Sequence, residues 1–177
     1  MNKPRVLVVD DEAAIRNFLV RVLQLGGYEV TAAGDGREAL EKLEGAAFDV
    51  LLTDIKMDRL DGVELLRVAK ERYPDLAVIL LTGHATVPSA IAALRQGAHD
   101  YLLKPAKNED ILTSIAAALH SRARQQRRDR LEQIAAQFLD VGMDDIRTAA
   151  QTTKAPLAYG ELAFDVVGFR ASLGGQV

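Results

Sequence analysis

The 177-residue sequence contains no cysteine, which excludes disulfide bonds, thiolate catalysis and cysteine-based zinc sites. Its formal net charge is only −3, so the overall electrostatic field does not argue for bulk nucleic-acid binding. No apolar run approaches the roughly 18–20 residues that span a bilayer, and the first residues show no signal-peptide pattern. We therefore expect a soluble, cytoplasmic protein with no membrane partner.

Apolar residues make up 49% of the sequence, which is enough for a packed core. The length fits about one domain plus an appendage, since domains usually hold ~100–200 residues. Strand and helix signals alternate five times within residues 1–120, with strands predicted at 5–9, 28–33, 50–53, 77–81 and 100–103. The first, third and fourth of these are continuous apolar runs, which are typical of parallel strands buried on both faces.

Apolar residues repeat at helical spacing between the predicted strands, and a fifth helix is predicted to start near Asn108. Alternating strands and helices predict a parallel sheet with helices on both faces. Right-handed crossovers leave few topologies. We therefore predict an α/β fold: a flavodoxin-like doubly wound five-stranded parallel sheet, followed by an extended helix and a short β-rich tail.

The composition changes after the predicted domain 1–120. Residues 121–142 are predicted to form a helical extension that ends near Gly142, and residues 143–156 are predicted to form a linker. The arginine-rich part, 122–130, could contact phosphates, or it could be the solvated face of a helix. Residues 157–177 alternate like short antiparallel strands with turns, and form either a fragment of an output domain or a tail.

Polar residues follow four of the predicted strands directly. Asp10 and Asp11 follow the first, Asp54 the third, Thr82 the fourth and Lys104 the fifth. Ligand chemistry in open α/β sheets lies at this carboxyl edge. Taken singly, the aspartate pair could cap a helix, the threonine could be a turn hydroxyl and the lysine a surface charge. Together they suit a phosphoryl group held with a divalent cation.

Five segments in this order resemble the response-regulator receiver domain of two-component signalling. They are Val8-Val9-Asp10-Asp11-Glu12, Thr53-Asp54-Ile55-Lys56-Met57, Leu60-Asp61-Gly62, Leu81-Thr82-Gly83-His84-Ala85 and Asp100-Tyr101-Leu102-Leu103-Lys104-Pro105. The fourth segment is most similar to NtrC-type receivers.

This resemblance implies that Asp54 is the phosphoacceptor, which attacks the phosphorus of a phosphohistidine on a sensor histidine kinase or a phosphotransfer protein. It implies that Asp10, Asp11, Asp54 and the backbone carbonyl of Lys56 hold Mg²⁺. Such a set agrees with the preference of Mg²⁺ for oxygen ligands. The transfer itself depends mostly on positioning and charge neutralisation.

The resemblance also implies roles for three further residues. Thr82 donates its hydroxyl to a phosphoryl oxygen, and Lys104 neutralises phosphoryl charge. Tyr101 is the aromatic residue whose rotation reports the state of Thr82. The Lys104-Pro105 peptide resembles the cis bond of the family, which only X–Pro sequences form at low cost.

The sequence departs from the family pattern at two positions. Asp58 stands where proline usually follows Met57, which adds a negative charge near the site. Ala106 replaces the usual phenylalanine after Lys104-Pro105, which weakens packing at the start of the fifth helix. The three histidines, one of which is His84 near the expected pocket, show no metal-ligand spacing.

Three functions are compatible with the sequence. The first is a phosphorylation-activated regulator of transcription, because residues 157–177 are similar to the opening strands of OmpR/PhoB-type winged-helix effectors. DNA binding would then need an output domain that is incomplete in this chain. The second is a phosphorelay or protein-interaction receiver, and the third is an independent Mg²⁺-dependent phosphohydrolase. No P-loop occurs in these 177 residues, so we expect no NtrC-type ATPase output within them. We expect switch chemistry rather than an enzyme.

The extended helix predicts self-association. Leu131, Ile134, Phe138 and Val141 are separated by three, four and three positions, the a/d rhythm of a coiled coil. The alternative is that this stripe folds back onto its own chain. Because the arginines before the seam repel their copies in a parallel pair, we expect a homodimer of modest affinity.

Overall fold

The computed structural model describes residues 3–83, 87–152, 157–159, 162–165 and 170–173. The chain groups into two compact units, Met1–Gln126 and Arg127–Val177, and each is described by itself.

Five strands and five helices alternate along the chain from residue 5 onward. The strands are β1 (Arg5–Val9), β2 (Glu29–Ala33), β3 (Val50–Asp54), β4 (Ala77–Thr82) and β5 (Asp100–Leu103). The helices are α1 (Ala13–Leu25), α2 (Gly36–Gly45), α3 (Gly62–Arg72), α4 (Val87–Arg95) and α5 (Asn108–Thr152). The strands lie in the order β2-β1-β3-β4-β5 and all pair in parallel. The predicted flavodoxin-like sheet is therefore confirmed.

The core has one layer on each face of this sheet, because side chains alternate along a strand. Leu7 and Leu51 face a layer packed by α2, α3 and α4. Val8 and Leu52 face the opposite layer, which α1 and α5 pack. Since β1, β3 and β4 are buried on both faces, their continuous apolar runs are explained.

Local signals begin and end several helices. The carboxylate of Asp35 caps α2 by accepting a bond from the Glu38 amide at 2.9 Å. The carboxylate of Asp61 caps α3 by accepting from Val63 and Glu64 at 3.0 and 2.8 Å. Gly97, with φ +89°, follows α4 in the left-handed conformation that glycine tolerates.

The second unit contains the later part of α5 and a three-stranded antiparallel sheet. Its strands are β6 (Leu157–Tyr159), β7 (Leu162–Asp165) and β8 (Arg170–Leu173), in that order. Antiparallel pairing of this segment confirms the pattern in the sequence. The predicted helix end at Gly142 is wrong, because α5 continues to Thr152. One glycine costs a helix only about 1 kcal/mol. Within the described ranges, no helix is both long and apolar enough to cross a membrane.

Candidate functional site at the carboxyl edge of the sheet

The polar residues singled out in the sequence lie where parallel strands of one sheet end. Asp10 follows the last residue of β1, Asp54 is the last residue of β3, Thr82 ends β4 and Lys104 follows β5. Because these strands are parallel neighbours, their carboxyl ends meet at one edge. The edge thus gathers two carboxylates, a hydroxyl and an ammonium.

One lysine links the two acids. The Lys104 Nζ lies 2.7 Å from Asp10 Oδ2 and 2.8 Å from Asp54 Oδ1. Asp10 is fully buried, Asp54 is 5% exposed and the Lys104 side chain 20% exposed. Two buried carboxylates therefore share a single ammonium. This leaves an excess negative charge in a poorly solvated place, which favours a further cation.

Opposing effects set the pKa of Lys104. Burial lowers the pKa, but hydrogen bonds and charges from Asp10 and Asp54 raise it above the ordinary lysine value. The backbone amide of Lys104 also donates to the Thr82 carbonyl at 2.7 Å, and the Lys104–Pro105 peptide is cis, as predicted. Because its pKa is raised, Lys104 stays cationic beside the acids.

Three hydrogen bonds hold the chain at Asp10, two through its main chain and one through its carboxylate. Its amide donates to the Ala33 carbonyl at 3.3 Å, and its Oδ1 accepts from the Glu12 amide at 2.9 Å. The Arg16 guanidinium donates to its carbonyl at 2.6 Å. Glu12, and not Asp10 or Asp11, occupies the N-cap position of α1. The helix-cap interpretation of the aspartate pair is therefore wrong, and Arg16 is a contact that the sequence patterns did not reveal.

Gly62 lies against the main chain of Asp54. A Cβ at this position would lie 2.1 Å from the carbonyl oxygen of Asp54, so only glycine fits without moving the backbone. The Gly62 amide donates to Ile55 at 2.9 Å. The Asp61-Gly62 pair was identified from sequence only as part of a segment that resembles the receiver family. Its close approach to the site depends on how the chain returns to β3.

The remaining predicted site residues differ in exposure. Asp11 and Lys56 are exposed, whereas Thr82 is 2% exposed and Tyr101 is partly buried against the core. No group of three acidic or histidine side chains in the described part of the chain is arranged to hold a metal. His84 lies outside the described residues.

The donors that do meet here suit Mg²⁺. Mg²⁺ is commonly bound through one or two carboxylates, with waters completing an octahedron. Asp10 and Asp54 are two such carboxylates, and both reach the same ammonium. The chemistry of the site therefore fits a hard divalent cation.

Both departures from the family pattern lie beside this edge. Asp58 is exposed and precedes Arg59, whose φ of 71° is left-handed and whose guanidinium lies 3.3 Å from Asp35. Ala106 lines an apolar cleft of about 220 Å³ with Phe18 and Pro105, next to Lys104. The small side chain of Ala106 leaves this cleft open, and Phe18 is 48% exposed.

The fold and the site define a flavodoxin-like α/β domain with a buried two-carboxylate, one-lysine centre at the carboxyl edge. The family model of the response regulator receiver domain matches residues 6–116. The chain belongs to this family, which confirms the resemblance seen in the sequence. Members of the family act as signalling switches rather than classical enzymes.

Individual relatives agree with this assignment. The response regulator MprA of Mycobacterium leprae is 39% identical over 142 residues, which cover 80% of this chain and 61% of that protein. The chain thus spans less than two thirds of the length of this relative. A receiver domain from Clostridium thermocellum is similar with a TM-score of 0.65 and 36% identity, covering 68% of this chain and 97% of the other. The beryllofluoride-activated NtrC4 receiver domain dimer is similar with a TM-score of 0.64 and 39% identity, covering 67% of this chain and 98% of the other.

Proposed function

We propose that this chain is the receiver part of a two-component response regulator, which accepts a phosphoryl group on Asp54 from a sensor histidine kinase and thereby controls transcription. The observation that carries the proposal is the buried Asp54 carboxylate, 2.8 Å from Lys104 Nζ, with Asp10 on the same ammonium. A phosphoryl group attached to Asp54 would meet a fixed cation there.

The transfer needs positioning more than covalent chemistry. A carboxylate oxygen of Asp54 attacks the phosphorus of a phosphohistidine, so that a P–O bond forms as the P–N bond breaks and the imidazole leaves. Lys104 neutralises charge on the phosphoryl oxygens, and its contacts with Asp10 and Asp54 support this role. Asp10, Asp11, Asp54 and the Lys56 carbonyl would hold Mg²⁺. When bound, Mg²⁺ supplies charge neutralisation and orients the phosphoryl oxygens.

Thr82 and Tyr101 would carry the signal away from the site. The Thr82 hydroxyl is a poorer metal ligand than the carboxylates, but it can donate to a newly attached phosphoryl oxygen. Tyr101 of β5 pairs with Leu80 of β4, and Leu80 lies two residues before Thr82 on the same strand. A population shift requires such differential contacts in the two states.

Labelling by a small acyl-phosphate donor tests the proposal directly. Intact-mass spectrometry should show one phosphoryl group on the wild type with Mg²⁺ and none after chelation. Asp54→Asn should not be labelled. Asp49→Asn is the matched control, because it removes an acid from the opposite edge of the same sheet, and it should be labelled like the wild type. Equal labelling of Asp54→Asn would refute the phosphoacceptor assignment.

Thr82→Ala separates the switch from the metal site. Mg²⁺ affinity measured by calorimetry should stay near wild type, while the response of the Tyr101 ring resonances to beryllofluoride should be blunted. A large loss of Mg²⁺ affinity would show that Thr82 belongs to the metal site instead.

We also propose that the regulator pairs as a homodimer through the later part of α5. Leu131 and Ile134 are 59% and 41% exposed, although both are large and apolar. The side chains of Phe138 and Val141, which complete the predicted seam, lie outside the described residues. A second apolar surface, formed by Ile91 and Leu94 of α4 with Leu103 of β5, is also exposed and would strengthen pairing on phosphorylation. The related NtrC4 receiver is described as a dimer when activated.

Light scattering on the full chain with and without beryllofluoride tests this pairing. Leu131→Asp should weaken the dimer, whereas Leu25→Asp, at an 82% exposed position on α1, should not. A wild-type chain that stays monomeric at high concentration in both states would contradict the proposal.

The antiparallel sheet β6–β8 supports a transcriptional output, because it agrees with the strand pattern of winged-helix effectors. DNA would be bound only through a complete output domain of this kind. The alternative is a phosphorelay receiver with no DNA step. Switch chemistry on Asp54 and a cytoplasmic location stay predictions.

A further inference from the structure

Arg16 is the one cationic side chain, among the contacts of the described residues, that reaches the main chain of Asp10. It is the fourth residue of α1 and is partly buried. Its Nη1 donates to the Asp10 carbonyl oxygen at 2.6 Å, six residues back along the chain. No acid is paired with Arg16 in this contact, so the guanidinium is directed at backbone rather than at a surface carboxylate.

The turn between β1 and α1 lacks the usual means of fixing a helix start. Glu12 is the N-cap residue, and its side chain makes no capping bond. Pairing of β1 with its neighbours ends at Val9, so Asp10 lies one residue beyond the paired register. Besides the bond from the Asp10 amide to the Ala33 carbonyl, two bonds to Asp10 hold the turn: from the Glu12 amide to Oδ1 and from Arg16 to the carbonyl oxygen.

These bonds determine where the Asp10 carboxylate points. Glu12 fixes one carboxylate oxygen, and the other lies 2.7 Å from Lys104 Nζ. With the carbonyl of Asp10 released, the Asp10–Asp11 peptide could rotate, and this rotation would displace the next peptide, which carries the Glu12 amide. The Oδ1 contact, and with it the direction of the carboxylate, would then be lost.

We infer that Arg16 is a positioning residue for the phosphorylation site, which holds the Asp10 carbonyl so that the Asp10 carboxylate faces the incoming cation. The inference deepens the proposed function and rests on its assignment of Asp10 to the Mg²⁺ site. Arg16 itself touches neither the metal nor the phosphoryl group in this role.

Charge and geometry make opposite predictions for Arg16→Ala. Removing a positive charge near two carboxylates should by itself tighten Mg²⁺ binding, because like charges repel. Losing a group that orients a metal ligand should weaken it, since removal of such supporting groups typically costs about 10–100-fold in affinity. The sign of the change therefore decides between a mere background charge and a positioning residue.

Calorimetric Mg²⁺ titration of the full chain gives the first readout. Arg16→Ala should bind Mg²⁺ about 10–100-fold more weakly than the wild type. Arg16→Lys, which keeps the charge and a donor, should recover part of the loss. Arg21→Ala is the matched control, because Arg21 is an exposed arginine on the same helix, and it should bind like the wild type. Arg16→Gln replaces Arg16→Ala if thermal unfolding shows that the alanine variant is not folded.

The amide resonance of Glu12 in the metal-free protein gives the second readout. It should shift in Arg16→Ala, recover towards the wild-type position in Arg16→Lys and stay in place in Arg21→Ala. Unchanged or tighter Mg²⁺ binding by Arg16→Ala overturns the inference. If the wild type itself binds no Mg²⁺, the proposed function fails. The Glu12 resonance then decides the role of Arg16 alone, and an unmoved resonance overturns it.

Discussion

Two lysines, one near each edge of the sheet, have opposite electrostatic surroundings. At the carboxyl edge, Lys104 bonds to the carboxylates of Asp10 and Asp54, and its pKa is raised. Near the amino end of β4, Lys70 of α3 donates to the carbonyls of Pro74 and Leu76 at 2.6 and 3.0 Å. Burial lowers the pKa of Lys70, and the charge of Asp75 offsets this only in part.

The contrast shows that a partly buried ammonium is not in itself a sign of function. Lys70 satisfies backbone carbonyls at a chain turn, which is a structural role. Lys104 is outnumbered by two buried carboxylates, so its cluster has a charge imbalance that a metal and a phosphoryl group can use. Asp49, also at the amino edge, shows a balanced case, because it is paired with Arg122 and accepts from the Arg5 amide at 2.7 Å.

The largest expected difference between the two lysines is in the rate of phosphorylation. Lys104→Gln should slow labelling of Asp54 by an acyl-phosphate donor by about 10²–10³-fold, the usual cost of removing one group that stabilises charge in the transition state. Lys70→Gln should leave the rate near wild type. Rates come from intact-mass spectrometry over time. Similar rates for the two variants would remove the functional distinction between the edges.

A smaller difference between the two lysines is expected in stability. Lys104→Gln leaves two buried carboxylates without their cation, and breaking a buried pair in this way costs up to about 3–5 kcal/mol of unfolding free energy. Mg²⁺ should restore part of the loss, because it binds only the folded site. Lys70→Gln should cost about 1–3 kcal/mol through unsatisfied carbonyls, with no greater Mg²⁺ response than wild type. Urea unfolding with and without Mg²⁺ measures both; a Mg²⁺ response confined to Lys70→Gln would reverse the comparison.

The smallest expected effect is on the pH dependence of the unfolding free energy, to which the two lysines contribute with opposite signs. The folded pKa of Lys104 is raised, so its stabilisation is fully present below the unfolded pKa of about 10.4 and is lost as pH rises through the folded value. The folded pKa of Lys70 is lowered, so the folded state deprotonates first and stability rises as pH approaches about 10.4. Unfolding free energies from pH 8 to 11 should therefore decline less steeply in Lys104→Gln and more steeply in Lys70→Gln, relative to wild type. Parallel curves for all three proteins would contradict the assigned shifts.

Local patterns predicted most of the sheet. The strands β1 and β5 have the predicted bounds, and β3 and β4 each end one residue later, at Asp54 and Thr82. Apolar runs are reliable here because burial on both faces requires them. The helix α5 was misjudged at Gly142, since a glycine only weakens a helix and does not decide where it ends.

In the candidate site, too, some features were predicted from the sequence and others were not. Asp10, Asp54, Thr82 and Lys104 were found because strand ends and family motifs mark them in the sequence. Arg16 and the close approach of Gly62 to Asp54 were not found, because neither contact follows from residue type or spacing. A partly buried arginine that donates to a carbonyl has the same sequence signature as one that lies in solvent.

The sequence by itself determined the order of strands and helices, the position of each polar residue at a strand end and the chemistry available to it. These properties follow from periodicity and residue type within a few positions. Only the tertiary structure decided that Lys104 bonds to Asp10, 94 residues away, and to Asp54 on a strand between them. Such pairing depends on strand order and on packing of both faces of the sheet, which bring distant segments together and leave two acids with one cation.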